Sequence, residues 1–199
     1  MKSEFIGAGS YLAAFSRLLE CIEITTGRGE PLPLDEGIGS ITEAIVSLKT
    51  RSGKAFLIGN GGSAAIVSHV HNDLCKSAGI RTIVFNETPL LTALANDDGY
   101  AAVFHRPMDL WADRDDLLIA VSSSGESENI LKAAATAREK GCRLITFTGF
   151  APANRLRQLG DVNVYVPASD YGYVETAHAI VAHCITDMAA MRASASAPV

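Results

Sequence analysis

Histidine is scarce in this chain and clustered: of five, His69 lies close to His71 and His178 to His183, with His105 apart. Imidazole exchanges protons near neutral pH and ligates divalent metals, so the two pairs are the residues best suited to acid–base or metal chemistry. Two other segments are suited to holding an anion, Gly59-Asn60-Gly61-Gly62-Ser63 and Ser122-Ser123-Ser124-Gly125-Glu126-Ser127. Glycine permits close approach of a second molecule to the backbone, and serine hydroxyls add donors to the N–H groups there.

These residues need a scaffold, and the apolar pattern supplies one. KAFLIG, RTIVF, DLLIAV, CRLITFTG and NVYVP read as short buried strands with helical stretches between them. Parallel strands need crossovers, usually helices, so the pattern predicts an α/β fold, a three-layer sandwich with a five-stranded parallel sheet. Residues 10 to 25, with Leu12, Phe15, Leu19 and Ile22 at helical spacing, and residues 35 to 48 form two helices ahead of the sheet, separated by TGRGEPLP. A long apolar helix, residues 174 to 192, closes the chain. These N- and C-terminal helices exceed what five strands need for cover, so some are expected to pack between subunits of an oligomer. The expected organisation is one domain over 1–199, with residues 1–50 used in oligomer packing and a core over 54–190.

Composition limits the partners. With 17 Lys and Arg against 22 Asp and Glu, a net charge of −5 and no basic run, nucleic acid and anionic membranes are excluded as main partners. A small phosphorylated ligand is not. No stretch reaches the roughly 18 apolar residues of a membrane span. Cys21, Cys75, Cys142 and Cys184 are spaced singly, as expected of reduced thiols in the cytoplasm.

Each Gly- or Ser-rich segment follows a strand and opens a helix, so each presents unpaired N–H groups and the positive end of a helix dipole. Both lie at the carboxyl edge of one parallel sheet, where ligands of such sheets bind. Taken singly, GNGG serves equally as a tight turn and the serines as helix N-caps. Together they point to a phosphate site. The first segment reads GxGxxA through Gly59, Gly61 and Ala64, but the second strand ends in Phe85-Asn86 where a dinucleotide fold places an acid, and only Glu87 follows. A small phosphate ester fits better.

With GNGGS after the first strand, SSSGES after the third, ANDDGY between them and REKGCRLITFTG beyond, the sequence resembles the sugar isomerase (SIS) domain family over roughly residues 40 to 190. Within that family it is most similar to the phosphoheptose isomerases. The resemblance implies a flavodoxin-like SIS fold, a homotetramer with active sites at subunit interfaces, and conversion of sedoheptulose 7-phosphate to heptose 7-phosphate. It places Ser63, Ser122, Ser124 and Ser127 at the substrate phosphate, with Asn60, Gly61, Gly62 and Ser123 also substrate-binding and Ser123 standing where the family often has Thr, and it matches Asp97 to a family Asp that binds sugar hydroxyls or orders the site, a turn-forming Asp being the equal alternative. It makes His69, Asp73, Glu175 and His183 ligands of one Zn²⁺, or another divalent metal, per active site, with Glu175 also a substrate contact. Asp73 and His183 match the family's catalytic base and its acid/base partner as well, so metal and proton roles fall on the same residues. His71, His105 and His178 receive no role and are expected as supporting, surface or interface residues.

Helical spacing agrees for His69 and Asp73, which share a face one turn apart. Glu175 and His183 would be about 12 Å apart along a continuous helix, so Glu175 is expected in a first turn or preceding loop. Asp73 stands where the family has Glu, Glu175 where it has Gln, Lys76 only approximates a family Arg, and Gly172 or Asp170 falls where the family has Asp. Phosphate binding retained with altered sugar contacts fits another long-chain ketose phosphate as well as the heptose substrate. A noncatalytic adaptor, like relatives that bind the bacterial replication initiator, and a sugar-phosphate sensor are the competing readings. An adaptor has no need of the four-residue set.

Overall fold

The computed structural model of the protein describes residues 7–195. Helix α1 (Ala8–Leu19) leads into a short hairpin, β1 (Glu23–Thr26) and β2 (Pro31–Leu32), then α2 (Leu34–Thr50). Strands and helices alternate from there: β3 (Ala55–Gly59), α3 (Gly62–Asp73), β4 (Thr82–Val84), α4 (Thr88–Asp97), α5 (His105–Trp111), β5 (Leu117–Ser122), α6 (Glu128–Lys140), β6 (Arg143–Thr148), α7 (Arg155–Leu159), β7 (Val162–Tyr165) and α8 (Tyr171–Ala195). A π-helical turn, Leu74–Ala78, follows α3, and a 3₁₀ turn, Tyr100–Ala102, precedes α5.

The α/β expectation holds, with one correction: the sheet has seven strands, ordered β2-β1-β7-β6-β5-β3-β4, where five were expected. The five expected strands are present and parallel. The additional two come from the segment read as the end of the first helix and the Gly/Pro-rich break. Helix α1 stops at Leu19, and Ile24 and Thr25 run antiparallel to Val164 and Asn163 of β7. Strands of four and two residues are too short to show a period. Pro31 lacks a ladder N–H and is tolerated because β2 is the sheet's edge.

Alternation along the buried strands divides the core between two faces. Leu57, Ile119 and Ile145 are aligned across β3, β5 and β6 and pack with Ile41 and Ile45 of α2, Val67 of α3 and Ile185 of α8. Phe56, Ile58, Leu118 and Leu144 point the other way, onto Phe104, Met108 of α5 and Ile130 of α6. A third cluster joins Phe15 of α1 to Tyr173, Val174 and Ala177 of α8. Each fully buried Leu or Ile contributes roughly 1.5–3 kcal/mol.

The parallel strands run β4-β3-β5-β6-β7, so the chain reverses its winding between β3 and β5. Helix α3 leaves β3 for one face of the sheet and α6 leaves β5 for the other. A crevice opens where neighbouring strands send their helices to opposite faces, and ligands of open α/β sheets bind there.

Candidate functional site

The Gly-rich segment 59–63 and the Ser-rich segment 122–127 follow neighbouring strands and lie side by side at that crevice. Gly59 ends β3 against Ser63: a Cβ at Gly59 would sit 2.7 Å from the Ser63 carbonyl carbon, so only glycine allows the turn into α3 to close. Gly61 adopts φ 54°, a left-handed conformation that glycine takes without strain. Ser63 is buried in the first turn of the helix.

The second segment turns at Gly125, φ 65°. The Gly125 N–H donates to Ser122 Oγ at 3.2 Å, and the Glu126 N–H donates to Ser124 Oγ at 3.2 Å. Ser127 is the N-cap of α6, yet its hydroxyl makes no capping bond. Ser122 and Ser123 are buried, whereas Ser124 and Ser127 are partly exposed.

A reciprocal amide pair ties the segments together. Asn129 Nδ2 donates to Asn60 Oδ1 at 2.8 Å, and Asn60 Nδ2 donates back to Asn129 Oδ1 at 3.0 Å. Tyr100 adds its hydroxyl to Asn60 Oδ1 at 2.9 Å. Sequence reasoning assigned no role to Asn129 or Tyr100, although Tyr100 closes the ANDDGY motif and Asn129 lies two residues beyond SSSGES. An amide in the first turn of an otherwise apolar helix face was the available signal for Asn129.

His69, Asp73 and His183 come together between α3 and α8. One ligand atom from each lies within 4.8 Å of the others. Asp73 Oδ2 is 3.3 Å from His69 Nε2 and 3.7 Å from His183 Nδ1, and the imidazole centroids are 4.7 Å apart. Asp73 Oδ1 accepts from Asn72 Nδ2 at 3.1 Å. Two imidazoles and a carboxylate at this spacing fit a divalent metal, with one position left for a ligand. The two histidines of the trio line a groove of about 260 Å³ together with Ala65, Ile66, Val70, Ala179 and Ala182. His69 and His183 expose 55% and 52% of their side chains, so the groove is open on this side in the single chain.

Glu175, the fourth residue of the expected set, is not in this cluster. It lies in the continuous helix α8, not a preceding loop, and its carboxylate rests on Gly62 at the head of α3. A Cβ on Gly62 would collide with it. Asp97 ends α4, is exposed, and accepts from Asn96 Nδ2 at 2.8 Å. His71 faces away from the trio, its Nδ1 at 2.6 Å from Thr82 Oγ1 on β4. His105 opens α5 and is partly exposed. His178 is wholly buried against Phe147, and burial pushes its pKa down to about 4.

The SIS domain model matches residues 31–149, and the chain belongs to the SIS domain family. Among its relatives, the phosphoheptose isomerase of Geobacter sulfurreducens is 30% identical over 161 residues, covering 78% of this chain and 85% of that one. That of Aliarcobacter butzleri is 34% identical over 158 residues, 76% of this chain and 83% of its own. The fold matches the structure of a phosphoheptose isomerase from Francisella tularensis with a TM-score of 0.81 over 94% of this chain and 98% of that one, at 24% identity. No described helix is long and apolar enough to cross a membrane.

Proposed function

We propose that the chain interconverts sedoheptulose 7-phosphate and D-glycero-D-manno-heptose 7-phosphate, or a related long-chain ketose phosphate and its aldose, through an enediol. It is a phosphosugar isomerase. The observation that carries the long-chain substrate is the separation of the two halves of the site. Gly62, at the phosphate end, and His69, in the trio, are seven residues apart on α3, a rise of about 10 Å. An extended seven-carbon ester held at Gly62 reaches His69 where a triose phosphate falls short, and the groove lined by Ala65, Ile66, Ala179 and Ala182 lies along the second part of that path.

In this reading the phosphate is held by Asn60, Gly61, Gly62 and Ser63 of the first segment and Ser122, Ser124 and Ser127 of the second. Backbone N–H groups and the two helix dipoles hold the dianion without a cluster of cations, in keeping with the acidic chain. Glu175 and Asp97 contact sugar hydroxyls. Asp73 takes a proton from C1 of the ketose while His183 gives one to the carbonyl oxygen on C2, forming the enediol. Removal of the O1 proton and return of a proton to C2 completes the aldose. The two carboxylate oxygens of Asp73 divide its roles, with Oδ2 facing the histidines and Oδ1 taking the proton. His69, Asp73 and His183 would hold one divalent metal per site, Zn²⁺ by the chemistry of these donors, which would supply Lewis-acid polarisation of the carbonyl.

The half-exposed histidines support a homotetramer, because a second subunit over the groove would exclude water from the reacting carbons. The chain works in this reading as one SIS domain, residues 54–190 forming the core and 1–50 packing against other subunits, in the cytoplasm. Incubation of the zinc-loaded protein with sedoheptulose 7-phosphate in D₂O tests it by NMR. Deuterium at C1 of the ketose and C2 of the aldose is expected. If no long-chain ketose phosphate exchanges or converts, the isomerase reading is wrong.

A further inference from the structure

Helices α3 and α8 lie side by side and run in the same direction. Glu175 of α8 meets Gly62 at the head of α3, and eight residues further on His183 meets His69, with 4.7 Å between the imidazole centroids. Glu175 and the histidines therefore stand at opposite ends of the α3–α8 contact. Gly61, the N-cap of α3, offers no side-chain cap, and the Ala64 and Ala65 N–H groups bond the carbonyls of Asn60 and Gly61 at 3.3 and 3.2 Å. The N–H groups of Gly62 and Ser63, ahead of them, have no carbonyl of the helix to reach.

All three atoms of the Glu175 carboxylate crowd the position that a Cβ on Gly62 would take. Among the described residues no ion pair or side-chain hydrogen bond engages this carboxylate, which is partly buried. The dipole of α3 favours a negative charge there, and that charge repels a second anion at the same helix end. The repulsion falls on every phosphate dianion, but its compensation does not. A carboxylate accepts hydrogen bonds and donates none, and bonds to a charged acceptor are the stronger ones. In an ester seated on Gly62 and Ser63 with its chain directed at His69, the carbon next to the esterified one is the first carbinol position to pass Glu175. A hydroxyl there donates to the carboxylate, whereas a methylene or a bare phosphate leaves the repulsion unopposed.

We propose that Glu175 is a specificity-determining residue that selects phosphate esters with a hydroxyl on the carbon adjacent to the esterified one, and turns away inorganic phosphate and esters lacking that hydroxyl. This rests on the phosphate role given above to the Gly-rich segment. It names the part of the substrate that Glu175 reads, which is the end remote from the reacting carbons at the histidines.

Calorimetric titration of the full, zinc-loaded protein tests this with inorganic phosphate, n-propyl phosphate and glycerol 3-phosphate, at about pH 8 where all three are mainly dianions. The two esters differ only in their hydroxyls, and the wild-type protein is expected to bind glycerol 3-phosphate about tenfold more tightly than propyl phosphate. Glu175→Gln keeps the shape of the side chain and removes its charge. In that variant inorganic phosphate and propyl phosphate should each bind about fivefold more tightly, and the preference between the esters should shrink to about threefold. Glu175→Asp keeps the charge and should show no such gain. Unchanged phosphate affinity in Glu175→Gln, an equal gain in Glu175→Asp, or equal affinity of the wild-type protein for the two esters would overturn the proposal. Wild-type protein that shows the preference yet converts no ketose phosphate would sink the isomerase reading and leave this one standing, and turnover without the preference would do the reverse. Failure to bind any of the three probes would overturn both.

Discussion

Asn60 and Asn129 exchange two amide hydrogen bonds, at 2.8 and 3.0 Å, across the crevice between β3 and β5. Asn60 lies in the Gly-rich segment and Asn129 two residues beyond the Ser-rich one, in the first turn of α6, so the pair ties the two segments together. Asn129 is also buried, and its Oδ1 accepts from the Ile130 N–H at 3.0 Å.

Asn129→Ala leaves the Asn60 amide without its partner and the segments without their tie. The expected cost is about 1–3 kcal/mol in urea unfolding, with inorganic phosphate bound about tenfold more weakly by calorimetry. Tyr100→Phe removes only the exposed hydroxyl bond to Asn60 and should cost less than half as much. Equal effects from the two variants would mean that the amide pair is not what sets the spacing.

Asp73→Asn keeps the size of the side chain and removes its charge. Asp73 is the residue that both histidines of the trio face, so zinc affinity and proton transfer should fall together. Solvent hydrogen exchange into the ketose phosphate is expected to drop by about 10²-fold or more. The side chain is only partly buried, so the melting temperature of the metal-free protein should hardly move. Unchanged exchange in this variant would remove Asp73 from the chemistry.

The parallel strands were legible because five apolar runs, each bounded by turn residues, carry their own signal. The hairpin was not, because Glu23–Thr26 and Pro31–Leu32 acquire strand geometry only by pairing with β7 and each other. In the site, His69 and Asp73 could be paired from spacing on one helix. His183 was joined to them by the family resemblance and not by spacing, since α3 and α8 are distant in sequence. The position of Glu175 was not legible: it was expected in the metal set from a first turn or preceding loop, whereas it lies within continuous α8 with its carboxylate against Gly62, a tertiary contact that spacing does not show. Asn129 left no periodic trace, because its meaning lies in what it meets across the crevice.

Burial lowers the pKa of His178 to about 4, against 6.5 in the unfolded chain. The folded state holds the ring neutral, so below pH 6.5 the unfolded state binds a proton that the folded state refuses. Stability from this residue is therefore complete above pH 6.5, declines as pH falls to 4, and levels off below. The loss amounts to about 3 kcal/mol. Urea unfolding between pH 7 and 4 measures it, and His178→Gln should flatten that part of the profile. A slope unchanged in the variant would assign it to other groups.

Gly61 and Gly125 both adopt left-handed backbone, φ 54° and 65°, but their surroundings differ. A Cβ on Gly61 meets nothing within 4 Å, so Gly61→Ala carries only the backbone strain of φ 54° and ψ −121°, about 1–3 kcal/mol. A Cβ on Gly125 would strike the Asn154 side chain, which is buried, caps α7 by accepting from the Arg157 N–H at 2.9 Å, and donates to the Ala151 carbonyl at 2.8 Å. Displacing Asn154 breaks those bonds while adding the same strain, so Gly125→Ala is expected to cost about 3 kcal/mol or more. The ligand should reverse part of this order. Gly61 stands where a phosphate would meet the backbone, so Gly61→Ala should lose more phosphate affinity than its small stability cost accounts for. Titration of both variants with inorganic phosphate, alongside urea unfolding, separates the two effects, and a loss of affinity in Gly61→Ala no larger than its loss of stability would place the phosphate elsewhere.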